Sequence, residues 1–411
     1  MYRLSPYRER VFYMMKSSAA IIEKTFKLGA HNYHPKEVVI ERGEGCLVYD
    51  PEGKRYYDML SAYSALNLGH SHPEVVQAAI DQLGKVTLTS RAFHNAVLGD
   101  FYEKLSALTG KDMILPMNTG AEAVETALKT ARRWGNKVKG IENGKQEIIT
   151  CKDNFHGRTI AIISFSTDPV ARDGYGPYCP GFRTIEYGNP EALEAAINEN
   201  TVAFLVEPIQ GEAGVIVPPE GYLKKVREIC TKHNILFIAD EVQTGFARTG
   251  RMFACDFEDV KPDIYIMGKA LGGGIMPVSA IAANEDVLGV FTPGSHGSTF
   301  GGNPLACAVA IKTMEILVRD NCAKVAEEKG KYFMDKLREI KNDEIVDIRG
   351  KGLLIGVEFN RPAADYVKAL IKGGVLAKET HDNTIRFAPP IVITYEELDE
   401  AFKIIKSALS K

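Results

Sequence analysis

Short apolar runs alternate with longer amphipathic stretches through the middle of the chain, the pattern of strands and crossover helices in an α/β sheet. The runs at 113–115, 147–150, 202–206, 235–239, 264–267 and 278–282 are almost continuously apolar, which predicts strands covered on both faces and therefore a mainly parallel sheet. Past Pro304 an amphipathic stretch predicts a long helix running by Lys312 and Glu315 towards Asp320. The texture then changes, with Gly350-Lys351-Gly352 ahead of the apolar run 353–357, and a second, smaller α+β domain is expected there. The expected organisation is a segment 1–60 belonging with the small domain, a large domain 61–305 and a C-terminal small domain 306–411, without internal repeats.

Composition narrows the function classes. A chain of 411 residues with 45% hydrophobic content can fill more than one core. A formal net charge of -3 offers no basic excess for nucleic acid or an anionic membrane surface, so neither is expected as a partner. No apolar run approaches the ~20 residues that a bilayer span requires. The seven cysteines are scattered without a C-x-x-C pair, which fits a reducing cytoplasm. The first residues carry Arg3, Arg8, Arg10 and Lys16 against Glu9, a faint likeness to a transit peptide. The expectation is nonetheless an ordinary leader, or an extension ahead of a start at Met14 or Met15, on a cytoplasmic protein. His31, His34, His70 and His72 lie close in sequence, but His31 and His34 lack an acidic ligand motif nearby and Gly69-His70-Ser71-His72-Pro73 looks like a loop and helix start, so no metal site is expected.

The chemistry sits where open α/β sheets bind ligands, beyond the carboxyl ends of the strands. Val206 is followed by Glu207-Pro208-Ile209-Gln210-Gly211-Glu212, Ala239 by Asp240-Glu241-Val242-Gln243, and Met267 by Gly268-Lys269-Ala270 and a triple glycine. A lysine at such a strand end either snorkels out to solvent or, partly desolvated, becomes a nucleophile suited to imine formation and proton transfer. Asp240 either caps a helix or pairs with a buried cation such as a pyridinium nitrogen. Asn118-Thr119-Gly120-Ala121 joins a strand to a helix; Thr119 can cap that helix while the amides of Gly120 and Ala121 face an anion, although Thr-Gly is also an ordinary helix start. A G-x-G-x-x-G turn, which a dinucleotide site would need, is absent where the sheet begins.

Five segments in order, 118–123, 207–212, 240–245, 268–270 and 297–304, resemble the class III (ω-amino acid) pyridoxal-phosphate aminotransferases, and the resemblance runs from about Gly29 to the C-terminus. It implies the fold-type I architecture: a mainly parallel large-domain sheet with helices on both faces, a smaller α+β domain, and a homodimer with the active site at the subunit interface, open to higher assembly. It implies pyridoxal 5'-phosphate as cofactor, carried as an imine on Lys269 with Asp240 at the ring nitrogen. Thr119, Gly120 and Ala121 would hold the phosphate, joined by Ser298 and by Thr299 from the partner subunit; Phe155, with His156 beside it, would stack on the ring, and Gln243 would meet its phenolic oxygen.

Three stretches, 29–35, 61–65 and 87–93, are similar to the ornithine-using members of that family. On that likeness Tyr33 and Arg158 hold the α-amino-acid end of ornithine, Tyr63 shapes the pocket, and Glu207 and Glu212 line the substrate side. Glu212 is expected to pair with Arg386 while ornithine is bound and to release it for the α-carboxylate of glutamate or 2-oxoglutarate, against the plainer alternative of a static ion pair. The implied reaction is a ping-pong transfer of the δ-amino group. N-acetylornithine, 4-aminobutyrate and lysine remain alternative donors, the first disfavoured because an acetylated amine would crowd Tyr33.

Overall fold

The computed structural model describes residues 17–410; the possible starts at Met14 and Met15 and the basic leader lie outside the described residues. The central sheet has seven strands in the order Met113–Met117, Ser279–Ala283, Ile264–Met267, Leu236–Asp240, Thr201–Val206, Glu147–Cys151 and Phe182–Ile185. The five from Ile264–Met267 to Phe182–Ile185 run parallel, and Ser279–Ala283 pairs antiparallel with both of its neighbours. The apolar runs become strands for the expected reason. Ile264 and Ile266 pack on one face with the helix Gly120–Lys137, while Tyr265 and Met267 pack on the other with the helices Pro73–Leu83, Leu98–Thr109 and Pro304–Arg319. A period of two with both faces covered favours an apolar side chain at nearly every position.

The edge strand Phe182–Ile185 escaped the sequence pattern because it is short, carries Arg183 and Thr184, and has only Ile185 fully buried. The helix Pro304–Arg319, placed by the sequence with the smaller domain, buries Ala306, Val309, Ala310 and Met314 in the same core as Tyr265 and Met267.

A second core gathers Cys46, Tyr57 and Met59 with Phe333, Val357, Ile385, Phe387 and Phe402, so residues from both ends of the chain share one interior. Two four-stranded sheets flank it: Arg42–Glu44, Leu47–Tyr49, Arg55–Asp58 and Val375–Leu376, and the antiparallel set Ile345–Lys351, Leu354–Phe359, Thr384–Phe387 and Lys378–Thr380. Arg248, fully buried, ties this part to the central sheet. Its guanidinium donates to Asn67 Oδ1 at 3.0 and 2.6 Å and to the carbonyls of Leu353 and Pro389 at 3.0 and 2.5 Å. Burial pulls its pKa down to about 9. Among the described residues no helix is long and apolar enough to cross a membrane, and all seven cysteines are free.

Candidate active site

Three neighbouring parallel strands deliver three polar residues to one place: Lys269 just after Ile264–Met267, Asp240 at the end of Leu236–Asp240, and Glu207 just after Thr201–Val206. Phe155 and His156 follow the next strand, Glu147–Cys151. Together with Gly120, Ala121, Gly157, Val242 and Gln243 they line a cavity of ≈ 200 Å³. From the antiparallel side, Ser279 Oγ donates to the carbonyl of Thr119 at 2.7 Å and locks the start of the helix Gly120–Lys137 to the sheet. Thr119 closes a capping box with Glu122, its hydroxyl accepting from the Glu122 amide at 3.2 Å and its own amide donating to Glu122 Oε2 at 2.7 Å. The cap uses the Thr119 hydroxyl and leaves Gly120 and Ala121, at the positive end of the helix dipole, on the cavity wall. Gly157 has φ +129° and a Cβ there would meet that of Ala121 at 3.0 Å, so only glycine allows this wall to close.

The electrostatics differ from residue to residue. Burial is the main influence on Lys269 and pushes its pKa down to about 8, against the carboxylates of Glu212, Asp240 and Glu207. Far more of this amine than of an ordinary lysine is therefore neutral and nucleophilic near neutral pH. Lys269 also has φ +43°, a left-handed conformation that costs a non-glycine residue roughly 1 kcal/mol and is met mostly where surroundings hold a functional group in place. Asp240 Oδ2 lies 2.6 Å from His156 Nδ1, and Oδ1 accepts from the Val242 amide at 3.1 Å. Burial works against charging His156, but the hydrogen bond and charge of Asp240 outweigh it and the net shift is upward. Burial pushes the Glu207 carboxyl up to about 7, although its oxygens accept from the amides of Phe155 at 3.0 Å and Gly211 at 3.3 Å.

A second cavity of ≈ 530 Å³ shares Phe155, His156 and Gly157 with the first and is lined further out by Arg158, Glu212, His381 and Asp382. Glu212 Oε1 lies 2.7 Å from Arg386 Nη1 and accepts from Gln243 Nε2 at 3.3 Å, while Gln243 Oε1 accepts from Arg386 at 3.1 Å. Burial alone would raise the Glu212 pKa; the charges of Arg386 and then Lys269 reverse this and hold it below the usual carboxylate value. Arg386 is 2% exposed and stands 4.9 Å from the centre of the Tyr63 ring. Tyr63 belongs to a run, Ser61 to Ser64, in which every residue has positive φ. Such a turn costs several kcal/mol at roughly 1–2 per residue, and Asp58 Oδ1 steadies it by accepting from the amides of Leu60 and Ser61.

Not every expected residue joins these walls. Glu207, assigned by sequence to the substrate side, lines the inner cavity with Lys269. Tyr33 is 72% exposed and lies outside both cavities, in the stretch between the helix Ser18–Leu28 and the strand Arg42–Glu44. Arg158 lines the outer cavity but is exposed, with its guanidinium 5.7 Å from the Phe155 ring centre. Ser298 Oγ accepts from Asn118 Nδ2 at 3.0 Å, whereas Thr299 is exposed and outside both cavities. Sequence missed Lys378, whose Nζ donates to Tyr63 Oη at 2.9 Å, because nothing local distinguishes it from a surface lysine on a short strand. His70, among the histidines weighed for metal, bonds Asp58 Oδ2 at 2.8 Å.

A lysine of lowered pKa, a buried carboxylate fixed by a histidine, and an anion-favouring helix start around one cavity make a site for a phosphorylated carbonyl cofactor. Residues 28–409 match the family model described as aminotransferase class-III. The chain belongs to the class III aminotransferases. Within the family it is 59% identical to the ornithine aminotransferase of Brevibacillus brevis over 395 residues, 96% of this chain and 99% of that relative. Among solved structures it resembles a Toxoplasma gondii ornithine aminotransferase with PLP at partial occupancy in its active site (TM-score 0.96, 43% identity, 100% and 98% of the two chains covered). It also resembles an acetylornithine aminotransferase from Elizabethkingia anophelis (TM-score 0.89, 53% identity, 96% and 99% covered). Class III aminotransferases use pyridoxal 5'-phosphate, and the residues present fit it. His156 Nε2 is a buried polar atom without a partner, and the buried Asp240 carboxylate faces a cavity into which a ring cation would fit.

Proposed function

We propose that this chain transfers the δ-amino group of L-ornithine to 2-oxoglutarate, giving glutamate 5-semialdehyde, which cyclises to pyrroline-5-carboxylate, and glutamate, in a ping-pong sequence. The observation that carries this reading is the Arg386–Glu212 pair at 2.7 Å beside the cavity that holds Lys269. Paired, the two side chains cancel each other's charge beside the methylene chain of an ω-amino acid; opened, the pair offers a guanidinium to a carboxylate. The likeness to ornithine aminotransferases over nearly the whole chain supports the same donor.

Bound in the inner cavity, pyridoxal 5'-phosphate supplies an electrophilic carbonyl and an electron sink for the substrate carbon that loses its proton. Lys269 would hold the cofactor through its amine and, with that amine free, would serve as the base for the proton at the δ-carbon. Asp240, oriented by His156, would pair with the ring nitrogen, and the amides of Gly120 and Ala121 would take the phosphate. Phe155 would stack on the ring and Gln243 would meet the phenolic oxygen, while Glu207 supports this wall through the Phe155 amide. Thr299, exposed in one chain, would reach the phosphate of the other subunit in a homodimer, and Ser298 would join the phosphate site. Arg158 clamps the α-carboxylate of ornithine, and Tyr33 closes over the α-amine.

A second reading, acetylornithine as donor, is favoured by the 53% identity to an enzyme of that name and by the open position of Tyr33. Holoenzyme mixed in turn with ornithine, N-acetylornithine, 4-aminobutyrate and lysine decides between them through the cofactor's change of absorbance, with chemical trapping of the pyrroline product. Fast conversion by ornithine is expected; silence with ornithine and conversion by acetylornithine would replace this reading by the second.

A further inference from the structure

The strand Lys378–Thr380 lies at the edge of its sheet, yet each of its side chains reaches across to another segment. Lys378 donates to Tyr63 Oη, Glu379 pairs with Lys36 at 2.5 Å, and Thr380 Oγ1 donates to the carbonyl of Glu212. One short strand therefore touches both the pocket-shaping tyrosine and the backbone of the acid that covers Arg386.

Lys378 also stands directly opposite Arg386 in the antiparallel register. Like charges facing each other across a ladder are unfavourable and need an anion nearby. Glu212 serves Arg386, and Glu379 is taken by Lys36; among the described residues Lys378 forms no ion pair. With Lys378 and Arg386 positive and Glu212 negative, this end of the pocket keeps one uncompensated positive charge while the Arg386 pair is closed. The hydrogen bond has a direction as well. An ammonium has only donors, so Tyr63 Oη must accept from it and its own proton has to find an acceptor elsewhere. The left-handed turn Ser61 to Ser64 carries Tyr63, whose ring centre lies 4.9 Å from the Arg386 guanidinium.

We propose that Lys378 is a positioning and specificity-determining residue for the carboxylate of the dicarboxylic 2-oxo acid: it turns the Tyr63 hydroxyl proton towards that carboxylate and provides the positive charge that draws it in before Arg386 is released. This rests on the dual-substrate reading above. An ω-amino donor presents only methylene groups at this end and gains little from Lys378.

The test uses holoenzyme with Lys378→Met, Lys378→Arg, Tyr63→Phe and the double variant Lys378→Met/Tyr63→Phe. Two quantities are read: equilibrium binding of glutarate, a dicarboxylate that cannot react, through the absorbance of the bound cofactor, and KM and kcat for 2-oxoglutarate and for the amino donor separately. Lys378→Met should weaken glutarate and raise the KM for 2-oxoglutarate by about tenfold, the size of losing one charge-assisted contact, with kcat and the donor KM within about threefold. Lys378→Arg should recover most of this, and the double variant should be no worse than the weaker single one. Equal losses for donor and acceptor, or unchanged glutarate binding in Lys378→Met, would overturn the proposal. If the wild-type protein prefers a donor other than ornithine, the function proposed above fails, yet glutarate binding and the acceptor KM still decide the role of Lys378.

Discussion

The two ends of the active cleft are built in opposite ways. The inner end takes Lys269, Asp240 and Glu207 from adjacent strands of one sheet, and every one is fixed by burial or backbone bonds. The outer end takes Tyr63, Glu212, Lys378 and Arg386 from four separate segments, joined by an ion pair and a cation-to-hydroxyl bond. An inner wall of this kind holds one geometry, as covalent and proton-transfer chemistry requires. An outer wall made of side-chain pairs can be rearranged without moving a strand, as the proposed use of one pocket for two substrates of different charge requires.

The largest effect is expected where the inner end is broken. Lys269→Ala should lower turnover by more than about 10⁴-fold, and borohydride should attach no cofactor mass to the chain; retained activity would remove the premise. Next, Asp240→Asn should reduce kcat by about 10²-fold or more and slow both half-reactions alike, because the ring electronics serve both. Glu212→Gln should act unequally. It unpairs Arg386, so kcat/KM for ornithine should drop by about tenfold to a hundredfold while the 2-oxoglutarate half-reaction changes little; equal losses would mean that the pair is static.

The smallest effect sharpens the contrast by stability. Glu207 titrates near 7 in the folded chain against 4.5 ordinarily. Between those values the native state keeps a proton that the unfolded chain has released, so stability should fall as pH rises through the window. Glu207→Gln should flatten this slope, narrowing the gap in apoprotein Tm between about pH 5 and about pH 8 by roughly a few degrees. Its lost backbone bond would shift both temperatures together.

The same contrast explains what could be read in advance. Lys269, Asp240 and Glu207 were visible because each directly follows or ends a run of apolar residues, and parallel topology gathers such ends. Thr119 announced its helix as a cap residue ahead of Gly120, and the structure completes that cap as a box with Glu122. The pairing of Glu212 with Arg386 was expected through family resemblance alone, since 174 residues separate them. Lys378 and Arg248 carried no local signal at all: a lysine on a three-residue strand and an arginine in a loop look like solvent-facing charges.

By itself, then, the sequence determined the apolar periodicity, hence the central sheet with helices on both faces and the polar residues at its strand ends, because burial on both sides of a strand dictates residue type locally. Tertiary structure alone decided which distant side chains meet. It reversed Ser279–Ala283, put the helix Pro304–Arg319 into the central core, left Tyr33 exposed within one chain, and set Lys378 against Tyr63 and Arg386. Those outcomes depend on strand register and on packing between segments far apart in the chain, where a residue's neighbours, rather than its own type, set its charge state and its role.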